Sequence, residues 1–122
     1  MVCTRGDFNP GGIGFSQTCF YAYGKTYDGF APMGPVVVTD IDPNNLRMVC
    51  RVNGVVHQDH NTSDRLFDYD KIVQWLSHMG TLNPGDVILT GTPDGVIDCQ
   101  VGDVVVTSIE GIGHLQTTMV NA

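Results

Sequence analysis

Positive charge is scarce in this chain. Arg5, Lys25, Arg47, Arg51, Arg65 and Lys71 stand against thirteen Asp and Glu, giving a net charge of -7. These six form no basic run, and an acidic chain repels phosphate backbones, so nucleic acid is not an expected partner. One or two well-placed cations would still suffice to hold a small anionic substrate. No apolar run approaches the ~20 residues that a membrane span needs, so no membrane association is expected. Cys3, Cys19, Cys50 and Cys99 are widely spaced, and no C-x-x-C pair exists. That argues against a zinc or redox motif. No cleavable leader precedes the cysteines, which predicts reduced thiols and a cytoplasmic protein. No Gly-x-Ser-x-Gly is present, so a serine triad has no support. Charged residues make up only 16% of the chain and apolar ones 42%, the balance of a globular protein and not of a disordered one.

What is abundant is glycine, with fifteen residues, alongside six prolines in a chain of 122. Such a composition implies many tight turns, which favour strands over a helix bundle. The length suits one domain spanning residues 1–122. Residues 1–18 are glycine-rich, and Gly11-Gly12-Ile13-Gly14 reads as a mobile loop. Residues 34–39 read as a buried strand. Arg47, Val49 and Arg51 alternate with Met48, Cys50 and Val52, the period of a half-buried strand. Asn53-Gly54 is a hairpin signal, with a partner strand over residues 55–59. Ile72, Trp75, Leu76 and Met79 share one helical face, so a helix is expected over 69–79, with Asp68 as its N-cap and Gly80 as its stop. Further strands are expected at 87–90, 104–109 and 114–120. Gly-Asp-Val occurs at 85–87 and again at 102–104, which reads as repeated turn chemistry. The sum is six to seven strands and one helix, a mostly β, largely antiparallel α+β fold.

Several residues could carry chemistry. Lys25 lies among Tyr23, Tyr27 and Phe30, where partial desolvation would lower its pKa and suit it to a carboxylate or enolate. The plain alternative is an exposed lysine in a turn. Gly24-Lys25-Thr26 is not a phosphate loop, because the wider spacing fails and a Gly-Pro-rich stretch comes after it. Thr90-Gly91-Thr92-Pro93 ends an expected strand. Gly91 admits a ligand to the backbone, and Thr92 offers a hydroxyl and an N–H to a carboxylate. A simple strand-to-loop transition is the alternative. Arg5 could grip a carboxylate bidentately or lie in a frayed terminus. His57 and His60 would diverge on a strand, and no further Cys or His is near enough in sequence for zinc. His78 suits the last turn of the helix.

The runs Gly24-Lys25-Thr26-Tyr27-Asp28-Gly29-Phe30-Ala31-Pro32-Met33-Gly34-Pro35, Gln58-Asp59-His60-Asn61-Thr62-Ser63-Asp64, Pro84-Gly85-Asp86-Val87-Ile88-Leu89-Thr90-Gly91-Thr92-Pro93 and Ile109-Glu110-Gly111-Ile112-Gly113 together resemble the fumarylacetoacetate hydrolase family. The resemblance implies that family's mixed β-sandwich roll, here in part, and a dimer or other homo-oligomer. It implies hydrolysis, decarboxylation or tautomerisation of a dicarbonyl or oxo acid. It places Lys25 and Arg5 as catalytic groups, and Tyr27, Gly91 and Thr92 against the substrate. It also implies Mg²⁺ or Mn²⁺ held by a Glu-x-Glu pair and an Asp. None of those acids falls within this sequence: Met1 stands where the Asp would precede Val2 to Arg5, and Phe8 replaces a glutamine. The expected part is therefore the C-terminal portion of the catalytic domain, without the metal cage. The cofactor is Mg²⁺ or Mn²⁺ with ligands from elsewhere, or none. Two alternatives stand beside a family enzyme: a metal-free isomerase, lyase or cyclase reusing the pocket, and a non-catalytic oligomeric binding module whose sheet edges seek partners.

Overall fold

The computed structural model describes residues 28–120. Among them are four strands and one helix: β1 (Arg47–Val52), β2 (Val55–Asn61), α1 (Tyr69–Met79), β3 (Val104–Ile109) and β4 (Gly113–Thr118). The strands form one antiparallel sheet in the order β2-β1-β3-β4.

The β1–β2 hairpin forms because Asn53 and Gly54 both take positive φ, 50° and 83°. A two-residue turn of that hand matches the twist of its flanking strands. The turn is also tied to the start of β3. Asn53 donates from its side-chain amide to Asp103 at 2.8 Å and accepts at its Oδ1 from the Val104 N–H at 2.9 Å. The register shifts between Cys50 and Arg51, so a bulge interrupts the ladder. Beyond it, Cys50 stands opposite Gln58 on one side and Thr107 on the other.

One face of the sheet carries the core. Cys50, Val52 and Val105 are buried there, with Val105 only 2% exposed. Ile97, Cys99 and Met119 pack against them. The chain between α1 and β3 therefore runs back over the inner face of the sheet. Burial in this apolar setting pushes the Cys50 and Cys99 thiols up from their ordinary pKa, and both are free.

The two Gly-Asp-Val sites are the same turn built twice. Gly85 and Gly102 take φ of 96° and 95°. Asp86 and Asp103 each accept from a backbone N–H three residues earlier, those of Asn83 and Gln100, both at 2.7 Å.

Two expected strands, the side-chain cap of α1 and the end of β2 need correction, whereas Gly80 stops α1 as expected. Residues 34–39 and 87–90 are not strands, since no ladder partner lies beside them among the described residues. Val37, for instance, is 92% exposed. Asp68 occupies the N-cap position of α1, but its carboxylate makes no capping bond. It lies 3.6 Å from the Arg65 guanidinium, which in turn sits over the Tyr69 ring at 4.2 Å. Gly80 ends α1 in an extended and not a left-handed conformation, its N–H donating to the Leu76 carbonyl. The apolar face of α1 is not buried against the described sheet, and Trp75 and Met79 are exposed. Strand β2 runs two residues further than expected because Asn61 both ends it and caps the short 3-10 turn Thr62–Asp64. Asn61 accepts from the Ser63 N–H, and the Asp64 carboxylate accepts in turn from the Asn61 N–H.

Candidate functional site

Of the residues singled out in the sequence, Gly91 and Thr92 lie among the described residues. Arg5, Lys25 and Tyr27 lie outside them, as does the glycine-rich stretch at 1–18. The described part of the candidate site is therefore the loop around Thr92.

That loop is shaped by its glycines and its proline. Gly91 has φ 99° and Gly95 φ 92°, conformations that side chains rarely take. Pro93 has no N–H and disfavours helical backbone at Thr92. Continuing the strand pattern of 87–90 through this sequence is thereby prevented. Among the described residues, a Cβ at Gly91 would meet nothing within 4 Å. Gly95 is the opposite case. A Cβ there would come within 2.1 Å of the His57 carbonyl oxygen and 3.1 Å of the Gln58 Cγ. The loop backbone thus rests directly on β2.

Gln58 fastens it. This side chain is buried, on the inner face of the sheet opposite Cys50. Its Nε2 donates to Thr92 Oγ1 at 3.1 Å, to the Pro93 carbonyl at 2.9 Å and to the Asp94 carbonyl at 3.1 Å. A buried amide is costly unless its hydrogens are accepted, and this one finds three acceptors on one loop. Sequence reasoning gave Gln58 no role. The available signal was a polar residue on the inward side of a strand, opposite the apolar Cys50. The bulge in β1 hides that phase from a simple alternation count.

The acidic and imidazole groups of 57–64 do not assemble into a metal cage. Asp59 is taken by Arg47, whose Nε and Nη2 donate to its two oxygens at 2.8 and 2.6 Å. That hydrogen bond holds the Asp59 carboxyl below the usual carboxylate range. His60 Nδ1 lies 3.8 Å from Asp64. Among the described residues, no group of three or more His, Cys, Asp or Glu comes together around one point. These residues do not fit a divalent cation by themselves, and no step through one is derived from them. Two open depressions of about 350 Å³ each are lined by Arg47, Ser108 and Glu110, and by Asn44, Arg65 and Asp70. Neither includes Thr92.

Comparison with known proteins fits this chain into a family. Residues 16–120 match the family described as Fumarylacetoacetate (FAA) hydrolase C-terminal. The chain is 45% identical over 100 residues to oxaloacetate tautomerase FAHD2A, mitochondrial, of Bos taurus, covering 74% of this chain and 32% of that protein. The crystal structure of 5-carboxymethyl-2-hydroxymuconate delta-isomerase from Mycobacterium smegmatis is 47% identical, with a TM-score of 0.76, over 79% of this chain and 38% of that one. Maleylpyruvate hydrolase from Sphingobium sp. SYK-6, solved with manganese(II) and pyruvate, is 37% identical with a TM-score of 0.75, over 79% and 38% of the two chains. This chain belongs to the fumarylacetoacetate hydrolase family, and its α+β, mostly β fold is the fold of that family. It spans about a third to two-fifths of the length of the relatives it matches. No helix among the described residues is long and apolar enough to cross a membrane.

Proposed function

We propose that this member of the family supplies the acid-binding part of an active site for a small oxo or dicarbonyl acid. The reaction would be tautomerisation, decarboxylation or C–C hydrolysis. Thr92 binds a substrate carboxylate through its hydroxyl, with Gly91 leaving the approach open. Lys25 and Arg5 act as the cationic groups facing the developing negative charge, and Tyr27 lines the substrate. The single observation that carries this reading is the loop at 91–95, which is fixed to β2 through Gln58 and Gly95 while a Cβ at Gly91 would meet nothing within 4 Å among the described residues. The relatives' activities support the substrate class: one acts on oxaloacetate, and another holds pyruvate with manganese(II). A Mg²⁺ or Mn²⁺ cofactor is part of the proposal, with ligands outside residues 28–120.

The test is turnover of oxaloacetate by the full chain with Mg²⁺ or Mn²⁺, with and without EDTA. Loss of enol absorbance without pyruvate would identify a tautomerase, and pyruvate release a decarboxylase. Activity reduced about tenfold by Thr92→Val and abolished by Lys25→Ala is expected. No turnover and no thermal stabilisation by oxalate, under any metal condition, would sink this reading. Activity that survives EDTA and is lost in Lys25→Ala would instead favour metal-free isomerase, lyase or cyclase chemistry.

A second reading, a non-catalytic oligomeric module, is favoured by one observation. Val37, Leu66, Phe67 and Trp75 are all large, apolar and exposed. In either reading we propose a homo-oligomer, most simply a dimer. Sedimentation showing a monodisperse monomer would count against both the assembly and the module.

A further inference from the structure

We infer that Gln58 is a positioning residue, which occupies one lone pair of the Thr92 hydroxyl, keeps its hydrogen free of the loop and so favours a ligand group that accepts it, such as a carboxylate oxygen. The inference rests on the acid-binding reading of Thr92 given above.

The chemistry of its partners decides how the Gln58 amide is turned. Two of the three atoms that it meets are main-chain carbonyl oxygens, of Pro93 and Asp94. Carbonyl oxygens only accept. The amide must therefore turn its NH₂ toward the loop, because its own oxygen would oppose them. With NH₂ facing Thr92 at 3.1 Å, the threonine oxygen is the acceptor in that bond. A hydroxyl has a single hydrogen, and here it is not used toward Gln58. It is left to point at another acceptor, and no acceptor for it lies among the described residues. A threonine without Gln58 could present either its lone pair or its hydrogen to a ligand. With Gln58 one lone pair is taken and the hydrogen is turned away from the amide, so the hydroxyl is biased toward donating to a ligand.

The surroundings hold that polarity in place. Gln58 is buried on a paired strand, and its three contacts span consecutive loop residues. Gly95 seats the far end of the loop on the His57 carbonyl, where any side chain would collide. Pro93 contributes no N–H that could compete for the Thr92 oxygen. Threonine is also stiff about χ1 because it is branched at Cβ. The loop backbone and the contact on the Thr92 oxygen are thus in place before a ligand arrives, and preorganisation of this kind favours binding.

Oxalate binding to the full chain, measured by titration calorimetry with Mg²⁺ present, tests this. Thr92→Val should weaken oxalate binding about tenfold, as for a lost hydrogen bond to a charged group, and Thr92→Ser should retain it. Gln58→Glu keeps the shape but replaces the donor by a carboxylate. The threonine hydrogen would then turn inward to that carboxylate, and binding should also fall about tenfold. The double variant should be no weaker than Thr92→Val alone, because both changes remove the same outward hydrogen. The introduced carboxyl faces carbonyl oxygens, which raises its pKa. Lowering the pH from about 7 to about 5 protonates it and makes it a donor again, given an ordinary value near 4.3. Affinity relative to the native chain at each pH should then recover in Gln58→Glu and not in Thr92→Val.

Undiminished oxalate binding by Gln58→Glu, or losses that simply add in the double variant, would overturn the inference while leaving the acid site standing. If Gln58→Glu does not fold, Thr92→Val still decides, since it leaves Gln58 its two carbonyl acceptors. Native affinity in Thr92→Val overturns the inference. Failure of the unmutated chain to bind oxalate at all overturns the acid-binding reading itself, and the positioning role with it.

Discussion

Two stretches of this chain look alike in composition and behave differently. Residues 47–58 and residues 87–99 are both rich in valine and other apolar side chains separated by turn signals. The first is a registered hairpin with Cys50, Val52 and Gln58 buried. The second has no ladder among the described residues, and Val87 and Leu89 at its start are exposed. The residues just past each apolar run make the difference. After Val52, Asn53-Gly54 returns the chain at once as an antiparallel partner. After Leu89, Gly91 and Pro93 break both the extended backbone and its supply of N–H donors. An apolar run provides surface to bury, but pairing requires a returning strand. The second stretch is instead held by side chains, with Gln58 at one end and the Cys50–Val52–Val105 cluster receiving Ile97 and Cys99 at the other.

The comparison can be broken most severely from the sheet side. Val105→Asp would bury an uncompensated carboxylate beneath that cluster and should cost about 4 kcal/mol, read as loss of the urea transition. A cooperative transition of native midpoint would show that the sheet core is not what holds the domain. Next comes the loop. Gly95→Ala forces a Cβ onto the His57 carbonyl at a positive φ, and should cost about 3 kcal/mol, whereas Gly85→Ala, with open space around it, should cost only about 1 kcal/mol of backbone strain. Equal losses in the two variants would mean that the loop is not seated on β2. Third, Val37→Ser should change stability by less than about 0.5 kcal/mol if that face meets water. A loss above about 1 kcal/mol would show that the face is covered in the protein as it exists, and would erase the contrast between buried sheet and exposed flank.

The smallest effect is a pH dependence. The hydrogen bond from Arg47 lowers the folded-state pKa of Asp59. A carboxyl lowered in this way stabilises the fold above its ordinary unfolded value, and the contribution fades as the pH falls through the folded one. Arg47→Ala should therefore be slightly less stable than the native chain at neutral pH and equal to it once acid has protonated Asp59 in both. A gap between their urea midpoints that stayed constant down to acid pH would refute that account. Both partners are largely exposed, so the difference will be modest.

Much of the sheet was legible in the sequence because its signals are local. Asn53-Gly54 fixes a turn, and the spacing of Ile72, Trp75, Leu76 and Met79 fixes a helix. The rest was not legible for a physical reason. Residues 34–39 carry strand composition, yet composition does not say where a partner strand lies. Asp68 was well placed to cap α1, but a nearby guanidinium competes for its carboxylate. The candidate site divides in the same way. Thr92 and Gly91 could be named from a short motif. The hydrogen bond onto the Thr92 hydroxyl comes from Gln58, thirty-four positions earlier, and no local pattern links the two.

The order of strands also bears on how this chain is made. Strand β1 pairs on one side with β2, its immediate successor, and on the other with β3, where Met48 stands opposite Ile109. During synthesis the hairpin can close as soon as Asn61 has emerged, but the second edge of β1 must wait for residues beyond 100. At roughly 5–20 residues per second that interval lasts seconds, far longer than the microseconds in which a hairpin forms. Through it, the second edge of β1 has no β3 to pair with, and the inner face at Cys50 and Val52 still lacks Val105 and Met119. Ribosome-bound chains halted before Val104 should thus recruit holdase chaperones, and the complete sequence tethered to the ribosome by an added C-terminal linker should release them. Equal recruitment at the two lengths would mean that the nascent hairpin is shielded some other way.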